Sequence, residues 1–126
     1  MTTVVAAVIE REDRTLIAQR KQGGAHPLKW EFPGGKVEPG ELPEAALLRE
    51  LEEELAIRAR IDREITRYKF RYPGAPQILL IFYRVVEFDG EPRNLNFERI
   101  EWVEKRQLTD FDFLEGDADF LGLFAN

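Results

Sequence analysis

Apolar positions along this chain recur with two different periods, and each change of period marks the end of an element. Thr2–Ile9 is a β-branched, apolar run that predicts a strand. The charged segment Arg11–Arg14 predicts a turn, and Thr15–Arg20 a second strand pairing back on the first. Lys21–Lys29 contains Gly23, Gly24 and Pro27 and reads as a loop. Pro33-Gly34-Gly35 and Pro39-Gly40 follow as two groups of breakers, where no regular structure is expected.

From Pro43 to about Leu55 the period becomes helical, and Ala45, Leu48, Leu51 and Leu55 are expected to form one buried stripe. Pro43 suits the first helical position, where its missing N–H costs nothing. Leu42 before it has no side-chain acceptor with which to cap the helix. Ile61–Tyr72 and Gln77–Glu87 predict two long strands joined through Pro73-Gly74-Ala75-Pro76, and Ile100–Val103 a short one. A terminal helix is expected near Ala118–Phe124, with Asp117 at or near its cap. The order of strands, helix, strands, helix predicts an α/β (α+β) fold, a mixed β-sheet with helices packed on it.

Composition narrows the function more than the fold. The 126 residues suffice for a single domain, 1–126, with its own core. The chain has no cysteine, which excludes thiol catalysis and thiolate metal sites. No apolar run is long enough for a membrane span, and no signal segment is visible, so a cytoplasmic location is the expectation. A net charge of −6 argues against a general nucleic-acid binder. It also means that a polyphosphate substrate would have to be attracted locally, for which divalent cations are the obvious agents. Monomer and homodimer stay equally open.

The candidate chemistry lies on the first helix. Glu50, Glu53 and Glu54 stand at i, i+3 and i+4 and so share a face. At ~100° per residue that face is expected roughly opposite the Leu48/Leu51/Leu55 stripe, with Glu52 on a flank. Like charges this close destabilise an isolated helix by ~0.2–0.5 kcal/mol per pair. The face is either an ordinary solvated one or a set of hard oxygen ligands for Mg²⁺ or Mn²⁺. The helix alone does not decide between them.

What precedes the helix does. From Gly35 the residues Gly35, Glu41, Arg49, Glu50, Leu51, Glu53, Glu54 and Ile57 fall in the register of the Nudix box. In that box a glycine is followed after five residues by a glutamate, then after seven by Arg-Glu-aliphatic-X-Glu-Glu and a closing turn. Ala56 departs from it, standing where the box has the glycine that ends the helix. The chain thus resembles the Nudix hydrolases, magnesium-dependent enzymes that cleave a pyrophosphate bond in nucleoside-diphosphate-linked compounds. The resemblance implies a Nudix fold, with the mixed sheet sandwiched between α-helices. It also implies a metal site of Glu50, Glu53, Glu54 and the backbone carbonyl of Gly34. Arg49 would orient Glu53, and Glu41 would support the site from the loop. Their alternative readings are a surface i,i+4 pair and a first-turn charge. The cations would neutralise phosphate charge and acidify a bound water, which a helix carboxylate deprotonates for in-line attack.

The segment Lys29–Lys36, with Arg20, Trp102 and Asp112-Phe113, is similar to the MutT-like and CTP pyrophosphohydrolase-like subgroup. Its members hydrolyse (deoxy)nucleoside triphosphates, oxidised ones included, to monophosphate and pyrophosphate. By that resemblance Arg20 contacts substrate, Phe32 lines a base pocket and Asp117 hydrogen-bonds the base. Purely structural readings stand beside these: an Arg20 ion pair, a core Phe32 and a helix-capping Asp117. Asn96 occupies the place of a further MutT glutamate, and a neutral amide cannot act as a base, so Glu98 is considered as an accessory ligand. The loop Pro73–Gln77 is one residue longer than in the MutT pattern and lacks its acidic-basic pair, which leaves the base preference open. A hydrolase of ADP-ribose, a dinucleoside polyphosphate or a related compound is the alternative within the same chemistry. A catalytically silent nucleotide-binding module is the alternative of another class.

Overall fold

A computed structural model describes residues 1–125, and among these, seven strands form one sheet. The strands are β1 (Thr2–Arg11), β2 (Arg14–Gln19), β3 (Trp30–Glu31), β4 (Gly34–Lys36), β5 (Arg58–Phe70), β6 (Ile78–Asp89) and β7 (Arg99–Glu104). The helices are α1 (Pro43–Leu55) and α2 (Ala118–Phe124), and short 3-10 turns occupy Lys105–Asp110 and Glu115–Asp117. The main path of the sheet runs β3-β2-β1-β6-β5, with β4 also paired to β1 and β7 to β2. Only the β1–β6 pair is parallel, which makes the sheet mixed, as expected.

Alternation along the strands sends successive side chains to opposite faces, and each face has its own core. Val5, Ala7, Ile9, Leu16, Ile81, Tyr83 and Val85 pack with α1. Ala6, Val8, Ile17, Leu80 and Phe82 pack with Phe32, Phe113 and the α2 residue Phe120. The sheet is therefore sandwiched between the two helices, each burying one stripe against it.

Two sequence expectations fail here. Gly34–Lys36 is a strand, paired through Ala6↔Gly34, Val5↔Gly35 and Val4↔Lys36, despite the breakers around it. The glycines permit it: a Cβ on Gly34 would lie 1.9 Å from the Val5 carbonyl oxygen, so only a bare backbone fits this close to β1. The buried stripe of α1 is Ala46, Leu47, Leu51 and Leu55, while Ala45 and Leu48 are exposed. Leu47, Leu51 and Leu55 form an i, i+4, i+8 row. In consequence Glu50 and Glu54 lie within about 60° of Leu47 around the helix axis, beside the buried row and not opposite it.

The ends of β5 also differ from expectation. It begins at Arg58, because Arg58, Ala59 and Arg60 pair with Asp89, Phe88 and Glu87. It ends at Phe70, leaving Tyr72 outside the ladder. The helix ends follow the sequence. Leu42 makes no side-chain cap, and Ala56 closes the helix in the left-handed conformation (φ 57°, ψ 36°), its N–H bonded to the Glu52 carbonyl. No helix among the described residues is long and apolar enough to cross a membrane.

Candidate active site

Over the first halves of the parallel strands β1 and β6 lies a cavity of about 700 Å³. Gly34, Gly35, Glu50, Glu54 and Asn96 line it beside α1, Phe32, Tyr72 and Asp117 line it beside the α2 turn, and Arg20 and Glu31 complete the lining, with the Glu31 charge acting on both Glu54 and Asp117. The helix register explains the first group. Glu50 and Glu54 flank the buried leucine row, so they enter the cavity from its α1 wall while the leucines hold the helix on the sheet.

Glu54 is the most constrained of them. Its Oε2 accepts the Asn96 side-chain amide at 3.1 Å, and the Gly34 backbone N–H also bonds the carboxylate. Its Oε1 is buried and has no partner. Burial, then the charges of Glu50 and Glu31, push its pKa up to about 8. Burial likewise raises Glu50, against the opposing pull of Arg49. A Cβ on Gly35 would stand 2.6 Å from the Glu50 carboxyl carbon, so glycine here keeps the carboxylate in place.

Arg49 gathers the loop and the helix into one network. It binds Glu41 in a fork, with Nε to Oε2 at 2.8 Å and Nη2 to Oε1 at 3.0 Å. It also donates to Glu50 at 2.9 Å, to Glu53 at 3.4 Å and to the Lys36 carbonyl at 3.3 Å. Arg49 thus holds Glu41 and Glu50 more closely than Glu53. That bond, with the Glu38 N–H, draws the Glu41 pKa down to about 2.

At the other end Phe32 is both core and cavity wall, meeting Phe82 and Phe120 edge-on at 6.2 and 5.3 Å. Asp117 is only 6% exposed, stands at the N-cap of α2 and makes no capping bond. The Phe32 backbone N–H bonds it instead, and burial followed by the charge of Glu31 lifts its pKa to about 8. Arg20 pairs with Glu31 at 3.1 Å and donates to the Ala25 carbonyl at 2.8 Å, so its ion-pair reading and its place on the cavity wall hold together.

Of the residues singled out in the sequence, Arg20, Phe32, Gly34, Glu50, Glu54 and Asp117 line the cavity, whereas Arg49, Glu53 and Glu98 do not. Glu53 is 60% exposed on the outer side of α1. Glu98 is exposed; in that loop the Arg93 and Leu95 N–H groups bond the Leu55 and Glu54 carbonyls, and the Asn96 side chain reaches the Glu54 carboxylate. Two residues escaped sequence reasoning: Glu31, whose neighbours in the segment drew the attention, and Tyr72, which read as a strand end. A charged residue between Trp30 and Phe32 was the available signal for Glu31, since an isolated charge among aromatics needs a partner.

The donor set suits a hard divalent cation: carboxylate oxygens, one of them buried and unpartnered, beside glycines that admit close approach. Among the described residues no three acidic, histidine or cysteine groups are already closed into a cage.

Fold and site together define the class. The NUDIX domain model matches residues 1–124, and the chain belongs to that family. Within the family it is MutT-like. It is 38% identical over 124 residues to an 8-oxo-dGTP diphosphatase of Haemophilus influenzae, covering 98% of this chain and 90% of that one. To the CTP pyrophosphohydrolase of Escherichia coli it is 34% identical, covering 98% and 91%. Among solved structures, the E. coli ORF135 protein superposes with a TM-score of 0.87 at 34% identity, over 98% of this chain and 88% of that one. A MutT, of Aliivibrio salmonicida or Vibrio cholerae, superposes with a TM-score of 0.82 at 30% identity, over 98% of this chain and 95% of that one. Nudix hydrolases generally use a divalent metal.

Proposed function

We propose that the protein is a Mg²⁺-dependent nucleoside triphosphate pyrophosphohydrolase, converting a (deoxy)nucleoside triphosphate, modified ones included, into monophosphate and pyrophosphate. One observation carries this reading: the cavity joins a carboxylate end with an unpartnered Glu54 oxygen to an aromatic end with a buried Asp117. A nucleotide has the same two-ended chemistry, phosphates at one end and a flat, hydrogen-bonding base at the other.

The cavity lining mixes four carboxyls, Glu31, Glu50, Glu54 and Asp117, with the cations Arg20, Lys21 and Lys36, and the carboxyls of α1 are crowded without a cation of their own beyond Arg49. Glu50, Glu54 and the Gly34 carbonyl would hold the Mg²⁺, and Glu53, outside the cavity on the same helix, could reach it only through the outer edge of the site. When bound, the cation neutralises phosphate charge and lowers the pKa of a water. Asn96 and the Gly34 N–H orient Glu54, and Arg49 orients Glu50. Among the described residues Glu53 Oε1 makes no hydrogen bond, and Arg49 holds only its Oε2. We assign Glu50, the helix carboxylate that lines the cavity and is held by Arg49, to accept the proton of the attacking water, and Glu53 stays outside the cavity. Water oxygen bonds to phosphorus as the bridging P–O bond breaks, and pyrophosphate leaves. Phe32 stacks on or beside the base, Asp117 bonds its edge, and Arg20, fixed by Glu31, faces the nucleotide.

Product analysis tests the reading. With Mg²⁺, a panel of dGTP, 8-oxo-dGTP, CTP, 5-methyl-dCTP, ADP-ribose and diadenosine tetraphosphate should show monophosphate plus pyrophosphate from at least one triphosphate. AMP and ribose 5-phosphate from ADP-ribose, with every triphosphate intact, would sink it.

A further inference from the structure

Asp117 sits at the junction of the 3-10 turn Glu115–Asp117 and the short α2, and neither element has a side-chain cap. Its backbone is held from outside by two tyrosines. Tyr68 on β5 donates its hydroxyl proton to the Gly116 carbonyl at 2.6 Å, and the Tyr68 hydroxyl oxygen accepts the Phe120 N–H at 3.3 Å. Tyr72 accepts the Gly116 N–H at 3.0 Å. Both polar groups of one residue are thus gripped by two phenols, immediately before the aspartate that lines the cavity.

The grip is built, not incidental. Tyr68 is stacked on Phe82 at 5.7 Å, and Tyr72 is held edge-on to Phe70 at 4.8 Å and against His26 at 4.7 Å. A Cβ on Gly116 would come within 2.7 Å of the Tyr72 hydroxyl and 3.3 Å of Leu80, so only glycine passes between the tyrosine and the sheet. On its far side Asp117 is tied to the Phe32 backbone, which itself lines the cavity. The carboxyl is therefore positioned between a strand and a turn whose attachment to the sheet runs through Tyr68 and Tyr72.

We infer that Tyr68 and Tyr72 are positioning residues for nucleobase selection: by clamping Gly116 they fix Asp117, and so set which base the cavity accepts. This rests on the nucleotide reading above. A carboxyl that recognises a base edge discriminates only if it cannot follow the wrong base, because a tolerant carboxyl would re-form its bonds elsewhere. Tyr68 does not line the cavity, so its effect on substrates has to pass through Gly116 and Asp117.

The test is kcat and KM for dGTP, dATP, dCTP and dTTP in wild type and Tyr68→Phe. The spread in kcat/KM between best and poorest substrate should shrink roughly tenfold, through a higher KM for the best one, with kcat on the poorest little changed. A second variant guards against simple loss of folding. Gly116→Ala should melt well below wild type, and adding Tyr72→Phe, which removes the clashing hydroxyl, should restore much of the melting temperature. The double variant should keep the narrowed spread. An unchanged spread in Tyr68→Phe, whatever its stability, overturns the inference. Failure of the nucleotide reading itself looks different: wild type then turns over none of these four and none of the modified triphosphates of the panel, and the inference falls with it.

Discussion

Asp117 is the residue at which burial and function pull hardest against each other. Its carboxyl is held to a pKa of about 8, by burial first and by Glu31 second. In the unfolded chain it would titrate near the ordinary value of about 4. Between these values the folded state binds the extra proton, so this group's contribution to stability falls as pH rises from about 4 to about 8. Above that window both states are ionised and the loss is complete. Asp117→Asn keeps the shape and the acceptor for the Phe32 N–H but removes the titration. Thermal melts from pH 5 to pH 8.5 should show the variant gaining on wild type as pH rises; parallel curves would mean that Asp117 is ionised in the fold. Arg49 shows the opposite case, a charge satisfied several times over by Glu41, Glu50 and Glu53.

Helix α1 makes its own prediction at its C-terminal end. Ala56 adopts φ 57°, a conformation that costs an L-residue with a Cβ roughly 1–2 kcal/mol and glycine almost nothing. Set against the greater freedom of glycine in the unfolded chain, Ala56→Gly should stabilise the protein by about 0.5–1 kcal/mol. The melting temperature should rise by roughly 2–4 °C. A lower melting temperature would mean that Ala56 packs in a way its backbone does not reveal. This site was legible in the sequence because Ala56 breaks a spaced pattern. The strand Gly34–Lys36 was not, since Gly-Gly reads as a breaker until a neighbouring strand requires a backbone without Cβ. The rotation of α1 was ambiguous for a different reason. Leu47 and Leu48 each continue a helical row through Leu51 and Leu55, and only the sheet chooses Leu47. The same rotation decided whether Glu54 faced water or the cavity, so the box was readable while its depth of burial was not. The tyrosine clamp on Gly116 joins positions more than forty residues apart, which no local period records.

Across the whole molecule the sheet divides the work. Its α1 face is apolar core, whose leucine row holds the acidic helix against the strands. Its α2 face carries the aromatic cluster that frames the far end of the cavity. The cavity spans both, which is how a protein of net charge −6 can present carboxylates at one end and an aromatic wall at the other. A cation meeting the unpartnered, buried Glu54 oxygen would offset the cost of burying that carboxylate.

Turnover of Glu54→Gln beside wild type, on the triphosphate that the panel identifies and at saturating Mg²⁺, therefore tests the account most directly. Glutamine keeps the size of the side chain and removes an ionisable group from a buried position, so the variant should fold and melt close to wild type. The account predicts that kcat falls by about two orders of magnitude or more, equivalent to roughly 2.7 kcal/mol of lost transition-state stabilisation. Wild-type turnover by a folded Glu54→Gln protein would contradict it.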